Sequence, residues 1–250
     1  MLIAQISDTH LIVDGPGSAR RLADFQAVID DINALDPLPD AIVHTGDIVH
    51  NGLAREYAAA TAILDRARAP VYVLAGNKDN RSALRAAFQS GGYLSADQSF
   101  ISYTVDAFPF RLVALDTTDP ESKKGAFCDA RFAALEGYLQ SDRPALVFMH
   151  HPPVEITVGP DRFHFDDLAR MERLARCLSS HTPLRAVMCG HVHRATTAML
   201  GQVPVSVMSS VATELRWDTQ PAGTETRPAY QLLEAEPTTG SVRISTRYVP

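Results

Sequence analysis

Five times within the first 193 residues an apolar, strand-like run ends on an Asp, Asn or His. "LIAQI" (2–6) runs into Asp8-Thr9-His10. "DAIVHTGD" (40–47) closes on Gly46-Asp47, and "VYVLAGN" on Gly76-Asn77. "ALVFMHHPP" (145–153) carries His150-His151, and "LRAVMCGHVH" (184–193) ends in Gly190-His191-Val192-His193. In open α/β sheets ligands gather beyond the carboxyl ends of strands. A fold that aligns these strands therefore brings metal-ligating side chains to one place.

Helical patterns alternate with those runs. "RRLADFQAVIDDINAL" (20–35) spaces Leu22, Phe25, Val28, Ile29, Ile32 and Leu35 along one face. "REYAAATAILDRA" (55–67), "RSALRAAF" (81–88), "DARFAALEGYLQ" (129–140) and "FDDLARMERLARCL" (165–178) read the same way. "FISYTV" (100–105) and "FRLVALD" (110–116) read as paired strands. After residue 193 come only the short strands "TTAML", "VPVSVMSS", "AYQLLEA" and "SVRISTRYV". The strands are too many for one open sheet. The expectation is an α/β four-layer αββα sandwich, two mixed sheets flanked by helices, in a single domain spanning 1–250. The polar "RWDTQPAGTETRPA" (216–229) reads either as a surface loop or as a flap at the site.

The net charge is −6, and no basic run exceeds a pair. That speaks against long nucleic acid or anionic lipid as a partner. Cys128, Cys177 and Cys189 are unpaired in spacing and read as thiols of a reducing compartment. "MLIAQISD" reads as a strand rather than a leader, and no apolar run approaches the ~20 residues of a membrane span. These set the expectation of a cytoplasmic protein, a monomer or small homo-oligomer.

Each motif has an ordinary reading when taken alone. Asp-Thr and Gly-Asp are common in turns and caps, and His-His before Pro-Pro suits an exposed loop. "GHVH" is stronger, since alternate residues of an extended chain point to one side. Together the motifs supply carboxylate, imidazole and amide oxygen without thiolate. That donor set suits Mn, Fe, Zn or Co in a reactive rather than a structural site. Asp8, His10, Asp47, Asn77, His150, His191 and His193 are more donors than one tetrahedral ion takes, and enough for two ions sharing a carboxylate. Two such ions, ~3.5–4 Å apart, clamp the attacking and leaving oxygens of an in-line displacement and make hydroxide available near neutral pH. His44, His50, His164 and His181 fall outside these slots and are read as structural.

The ordered set "DTH", "GD", "GNKD", "HHPP", "GHVH", over residues 8 to 193, resembles the calcineurin-like metallophosphoesterases. "MLIAQISDTH", the "EY" at 56–57 and "FMHHPP" are most similar to the bacterial branch of class III cyclic-nucleotide phosphodiesterases and glycerophosphodiesterases. The resemblance implies hydrolysis of a small phosphodiester by a metal-bridging hydroxide. It implies one ion on Asp8, His10 and His193, another on Asn77, His150 and His191, and Asp47 between them. His151 becomes a neighbour placed to touch substrate. Asp79 holds the turn, orients a ligand or assists catalysis.

One position departs from the pattern. The family's Gly-Asn-His-Asp/Glu has a substrate-facing histidine where this chain has Lys78. A lysine still offers a point charge to a phosphate oxygen. It suits acid catalysis at neutral pH less well, with a reference pKa of ~10.4 against ~6.5. A second substrate-facing histidine of the branch aligns with Thr213. Lys78 and Thr213 are thus candidate substrate contacts, Lys78 also a candidate catalytic group. A phosphomonoesterase or nuclease on the same scaffold, or a catalytically weakened metal-binding member, stands as the alternative.

Overall fold

The computed structural model describes residues 1–95, 99–158, 161–163, 165–217 and 221–250, with 161–163 as backbone only. Leu2–Ile6 (β1) is the centre of a five-stranded sheet. Ser18–Asn33 (α1), Ala41–His44 (β2), Ala54–Leu64 (α2), Val71–Val73 (β3) and Arg81–Phe88 (α3) follow, with β1, β2 and β3 parallel. Tyr103–Val105 (β4), Arg111–Leu115 (β5), Asp129–Leu139 (α4), Ala145–Met149 (β6), the hairpin Ile156–Val158 (β7) and Asp161–Phe163 (β8), Leu168–Ser180 (α5) and Leu184–Cys189 (β9) come next. Thr196–Leu200 (β10) and Val203–Val207 (β11) complete a six-stranded sheet of order β10-β11-β9-β6-β5-β4. Ala229–Ala235 (β12) and Val242–Tyr248 (β13) return to the first sheet, giving β13-β12-β1-β2-β3. Both sheets are mixed: the first is parallel over β1, β2 and β3 and antiparallel at β12 and β13, the second parallel from β11 to β5 with an antiparallel strand at each edge.

Alternation along the central strands explains the layers. In β6, Leu146 and Phe148 join the core shared with the first sheet, while Ala145, Val147 and Met149 pack with α4 and α5. All five are buried, as a strand covered on both faces requires. The helices α1, α2 and α3 contribute Phe25, Ile29, Tyr57 and Leu84 to the first core. The expected αββα sandwich is the observed one. Between the sheets a polar seam runs toward the strand ends. Gln5 donates to Thr45 Oγ1 and to the Cys189 carbonyl, both at 3.0 Å, and Ser206 donates to Gln231 at 3.0 Å.

Three expectations shift. The strands end earlier than their patterns, at His44, Val73, Met149 and Cys189, because the donor residues adopt turn geometry beyond them. The helix α5 begins at Leu168 rather than 165: Asp167 caps it by accepting the Arg170 N–H at 3.0 Å, and Phe165 bridges to Gly125. The β7–β8 hairpin was not expected, since its strands are only three residues long. No helix of the described residues is long and apolar enough to cross a membrane.

Candidate metal centre

Asp8, His10, Asp47, His191 and His193 have φ of 55°, 42°, 52°, 71° and 55°, and they are the non-glycine residues with positive φ among those described. Left-handed backbone costs a non-glycine residue about 1–3 kcal/mol, and its clustering marks a site held by its surroundings. The turns are laced together: Asp8 N–H to the Gly46 carbonyl at 3.0 Å, His10 N–H to the Asp47 carbonyl at 2.9 Å, Gly190 N–H to the His150 carbonyl at 3.1 Å. Gly76 permits a close approach to Asp47. A Cβ there would lie 2.2 Å from the Asp47 backbone nitrogen and 2.2 Å from its Oδ1.

The seven expected donors converge in two groups. In the first, His193 Nε2 stands 3.2 Å from Asp8 Oδ1 and 3.0 Å from His10 Nε2, and His10 Nε2 is 3.4 Å from Asp47 Oδ2. In the second, His150 Nε2 is 3.2 Å from Asn77 Oδ1 and 3.5 Å from Asp47 Oδ1, with the His191 ring 5.1 Å from that of His150. Asp47 faces both groups, one oxygen to each. Second partners fix the ring tautomers. His150 Nδ1–H donates to the Thr45 carbonyl and His193 Nδ1–H to the Leu215 carbonyl, each at 2.9 Å, which turns both Nε2 atoms onto the site.

The electrostatics fit a cation. Asp8 and Asp47 are buried, and among the described residues their side-chain ion pairs are with histidines alone. Burial pushes the Asp8 carboxyl up, but His193 and His150 more than reverse this; for Asp47, His150 and His10 do the same. Both stay well below the ordinary carboxylate range. Burial pulls His10 and His191 down to about 3, so they are neutral at physiological pH. For His150 burial is outweighed by Asp47 and Asp8, which lift it to about 9. Buried carboxylates that lean on imidazole protons, with ring nitrogens gathered in two groups around Asp47, are residues that fit divalent metal.

The residues around the donors divide. Asp79 accepts Gly76 N–H at 2.9 Å and Ile48 N–H at 3.2 Å on Oδ2, and Tyr57 O–H at 2.9 Å and Val49 N–H at 3.3 Å on Oδ1. Four donors on two oxygens make it the holder of the turn; the geometry gives it no catalytic contact. Burial first, then Asp47, raises it to about 7. The "EY" pair has its reason here: Tyr57 clamps Asp79, and Glu56 accepts from Asn51 N–H at 3.0 Å. His151, expected to touch substrate, is buried with both ring nitrogens engaged. Nε2–H donates to the Lys123 carbonyl at 3.1 Å and Nδ1 accepts from Thr117 Oγ1 at 2.9 Å. Thr213, expected at substrate, instead donates its hydroxyl and its N–H to Asp24 Oδ2 at 2.7 and 3.0 Å.

Lys78 gives its backbone N–H to Asp47 Oδ1 at 2.7 Å and lines a cavity of about 630 Å³ with Asn51, Asn77, Asn80, Arg81 and Arg85. A larger cavity, about 840 Å³, lies between Met1, Pro37 and Arg243 at the opposite end of β1, and no donor lines it. The 216–229 segment starts against the centre, Trp217 N–H donating to the His193 carbonyl at 3.1 Å; its residues 218–220 lie outside those described, as does His164. His44 is the core histidine expected, bonded to Thr9 Oγ1 at 2.9 Å. His50 is not remote from the site: its Nδ1 is 3.2 Å from that of His10. Sequence reasoning also passed over Arg21, which donates to the His10 carbonyl at 3.0 Å and to Glu214 at 2.7 Å. Arg21 sits on α1, where the helical pattern assigned Leu22 to the buried face.

The calcineurin-like phosphoesterase family model matches residues 1–195, a span that contains every donor. The chain belongs to that family. A probable glycerophosphodiester phosphodiesterase GpdQ of Arcobacter nitrofigilis is 31% identical over 241 residues, 93% of this chain and 88% of the relative. The 3',5'-cyclic adenosine monophosphate phosphodiesterase CpdA of Pseudomonas aeruginosa is 27% identical, over 85% of this chain and 76% of its own. Among solved structures, a dimetal phosphatase of Danio rerio superposes with a TM-score of 0.72 at 14% identity, over 100% of this chain and 96% of its own, which makes it a likeness of fold.

Proposed function

We propose that this metallophosphoesterase is a phosphoric diester hydrolase that acts on small phosphodiesters at a dinuclear centre. The observation that carries the reading is Asp47, whose Oδ2 lies 3.4 Å from His10 Nε2 while its Oδ1 lies 3.5 Å from His150 Nε2. One carboxylate is thereby shared by two donor groups. Asp8, His10 and His193 would hold one ion, Asn77, His150 and His191 the other. Two divalent cations supply a water-derived nucleophile near neutral pH and offset charge on the phosphate. The chain's own part is to place the phosphate beside Lys78, whose ammonium contacts a phosphate oxygen, and to seat the alcohol in the neighbouring cavity. Among the described residues, the lining of that cavity, which includes Asn51, Asn80, Ser82, Arg85 and Ser99, has no aromatic ring on which a base would stack. That supports a hydroxyl-rich alcohol, in keeping with the name of the glycerophosphodiester relative rather than the cyclic-nucleotide one.

The test is turnover of bis(p-nitrophenyl) phosphate against p-nitrophenyl phosphate with added Mn²⁺, followed by glycerophosphodiesters against cyclic AMP. Faster diester turnover is expected, and faster glycerophosphodiester turnover; a preference for the monoester overturns the reading. Elemental analysis should find two ions per chain, and Asp47→Asn should weaken both sites because a neutral amide bridges two cations poorly. A ceiling of one ion under saturating Mn²⁺ overturns the dinuclear part.

A further inference from the structure

We propose that His50 is the positioning residue of His10, accepting the His10 Nδ1–H and thereby turning the His10 Nε2 lone pair onto the metal centre. The two Nδ1 atoms are 3.2 Å apart, with the rings 5.3 Å between centroids and tilted by 58°. A hydrogen bond between two ring nitrogens needs one proton and one lone pair. His10 Nε2 points at Asp8 Oδ1, Asp47 Oδ2 and His193 Nε2, at 3.8, 3.4 and 3.0 Å. For that nitrogen to serve as a ligand its proton must reside on Nδ1. His50 Nδ1 is then the acceptor, and its own proton sits on Nε2.

The same arrangement recurs around the centre with different partners. His150 and His193 donate Nδ1–H to the carbonyls of Thr45 and Leu215. At His10 the acceptor is a side chain, so this positioning bond is one that substitution can remove. The backbone holds His50 in place: its N–H donates to the Leu11 carbonyl at 3.1 Å, and Leu11 bridges to Val49. His50 is therefore tied to the same turn that carries His10.

The inference rests on His10 being a ligand, as proposed above, and its test separates the two. Mn²⁺ affinity of each site, measured by chelator competition, is compared among the parent, His50→Ala and His50→Asn. Loss of a partner behind a ligand imidazole costs about 10–100-fold in metal affinity. His50→Ala should lose that much at one of the two sites and keep the other. His50→Asn, whose Oδ1 takes the place of the ring Nδ1 as acceptor, should recover most of the loss. Histidine ¹⁵N spectra of the metal-free proteins give a second readout: His10 should carry its proton on Nδ1 in the parent and in His50→Asn, and become a tautomer mixture in His50→Ala. Unchanged affinities in His50→Ala, equal loss at both sites, or no recovery in His50→Asn overturns the inference. A parent that binds fewer than two ions overturns the dinuclear reading instead. In that case the His10 tautomer alone decides the role of His50, and an unchanged tautomer in His50→Ala overturns it.

Discussion

Lys78 occupies the position at which the resemblance read from the sequence implies a substrate-facing histidine, on the turn that carries Asn77 and Asp79. Its N–H is fixed on Asp47 and its side chain faces the cavity. An ammonium supports a phosphate oxygen but is a reluctant proton donor at neutral pH. The chain should therefore act best on diesters whose leaving groups need little protonation. Lys78→His should raise kcat for a natural diester more than for a nitrophenyl one, general acid catalysis being worth roughly 10²–10⁴-fold where it is needed. Lys78→Ala should raise KM and leave metal content unchanged. Steady-state kinetics of both variants on both substrates decides this, and parental behaviour on every substrate removes Lys78 from the site. Gly76→Ala, by contrast, should cost metal binding, because the added methyl meets the Asp47 backbone 2.2 Å away. Metal content after dialysis reads it, with parental content as the opposing result. The donors were legible because residue type, order and strand-end position all agreed. Asp79 was expected as a catalytic group and His151 and Thr213 as substrate contacts; their hydrogen bonds run instead to residues distant in sequence, which pattern alone does not reveal.

The helix α3 shows how an element aims a turn it does not contain. Asn80 caps it, accepting the Ala83 N–H at 3.0 Å, and so ends the turn that carries Asn77 where the helix begins. Arg81 then anchors it, bonding Asp116 through two nitrogens at 2.6 and 3.0 Å and the Thr118 carbonyl at 2.8 Å. Asp116 follows β5 and is buried. Burial raises its pKa, but the Arg81 pair outweighs this and holds it below the ordinary value. A depressed pKa gives stability that is present above the unfolded value of about 3.8 and lost as pH falls through the folded one. Asp116→Asn should destabilise by about 3–5 kcal/mol at neutral pH, as expected for half of a buried pair. The gap between parent and variant should close as the solution is acidified below about pH 3.8. Urea midpoints across that range test it; a constant gap shows that the pair is not its source. The helix α1 tells the complementary story. Its apolar spacing placed Phe25, Val28, Ile29 and Ile32 in the core, and they are there. Its first turn puts Leu22 outward, 37% exposed, and turns Arg21 and Asp24 inward. Periodicity sees apolar faces; it is blind to a polar pair recruited to brace a site.

At the scale of the whole molecule, the donors divide between the sheets. Asp8, His10, Asp47 and Asn77 follow strands of the first sheet; His150, His191 and His193 follow strands of the second. The sheet assignments were partly legible, since the strands are too many for one open sheet. Which strand joined which sheet was not, because β12 and β13 cross back from the end of the chain to flank β1. Each proposed ion would thus take ligands from both sheets. Mn²⁺ should raise the melting temperature with concentration, by the equivalent of about 2.7 kcal/mol at 100 times Kd, and chelator should reverse it. Differential scanning fluorimetry reads this, and a flat response shows that no ion joins the sheets. Beneath the site the sheets meet at the Gln5 and Gln231 seam, where buried hydrogen bonds cross from one sheet to the other. The proposed ions would act as rivets through that seam. Asp47, with one oxygen toward each donor group, is where the two halves would share a common reference point.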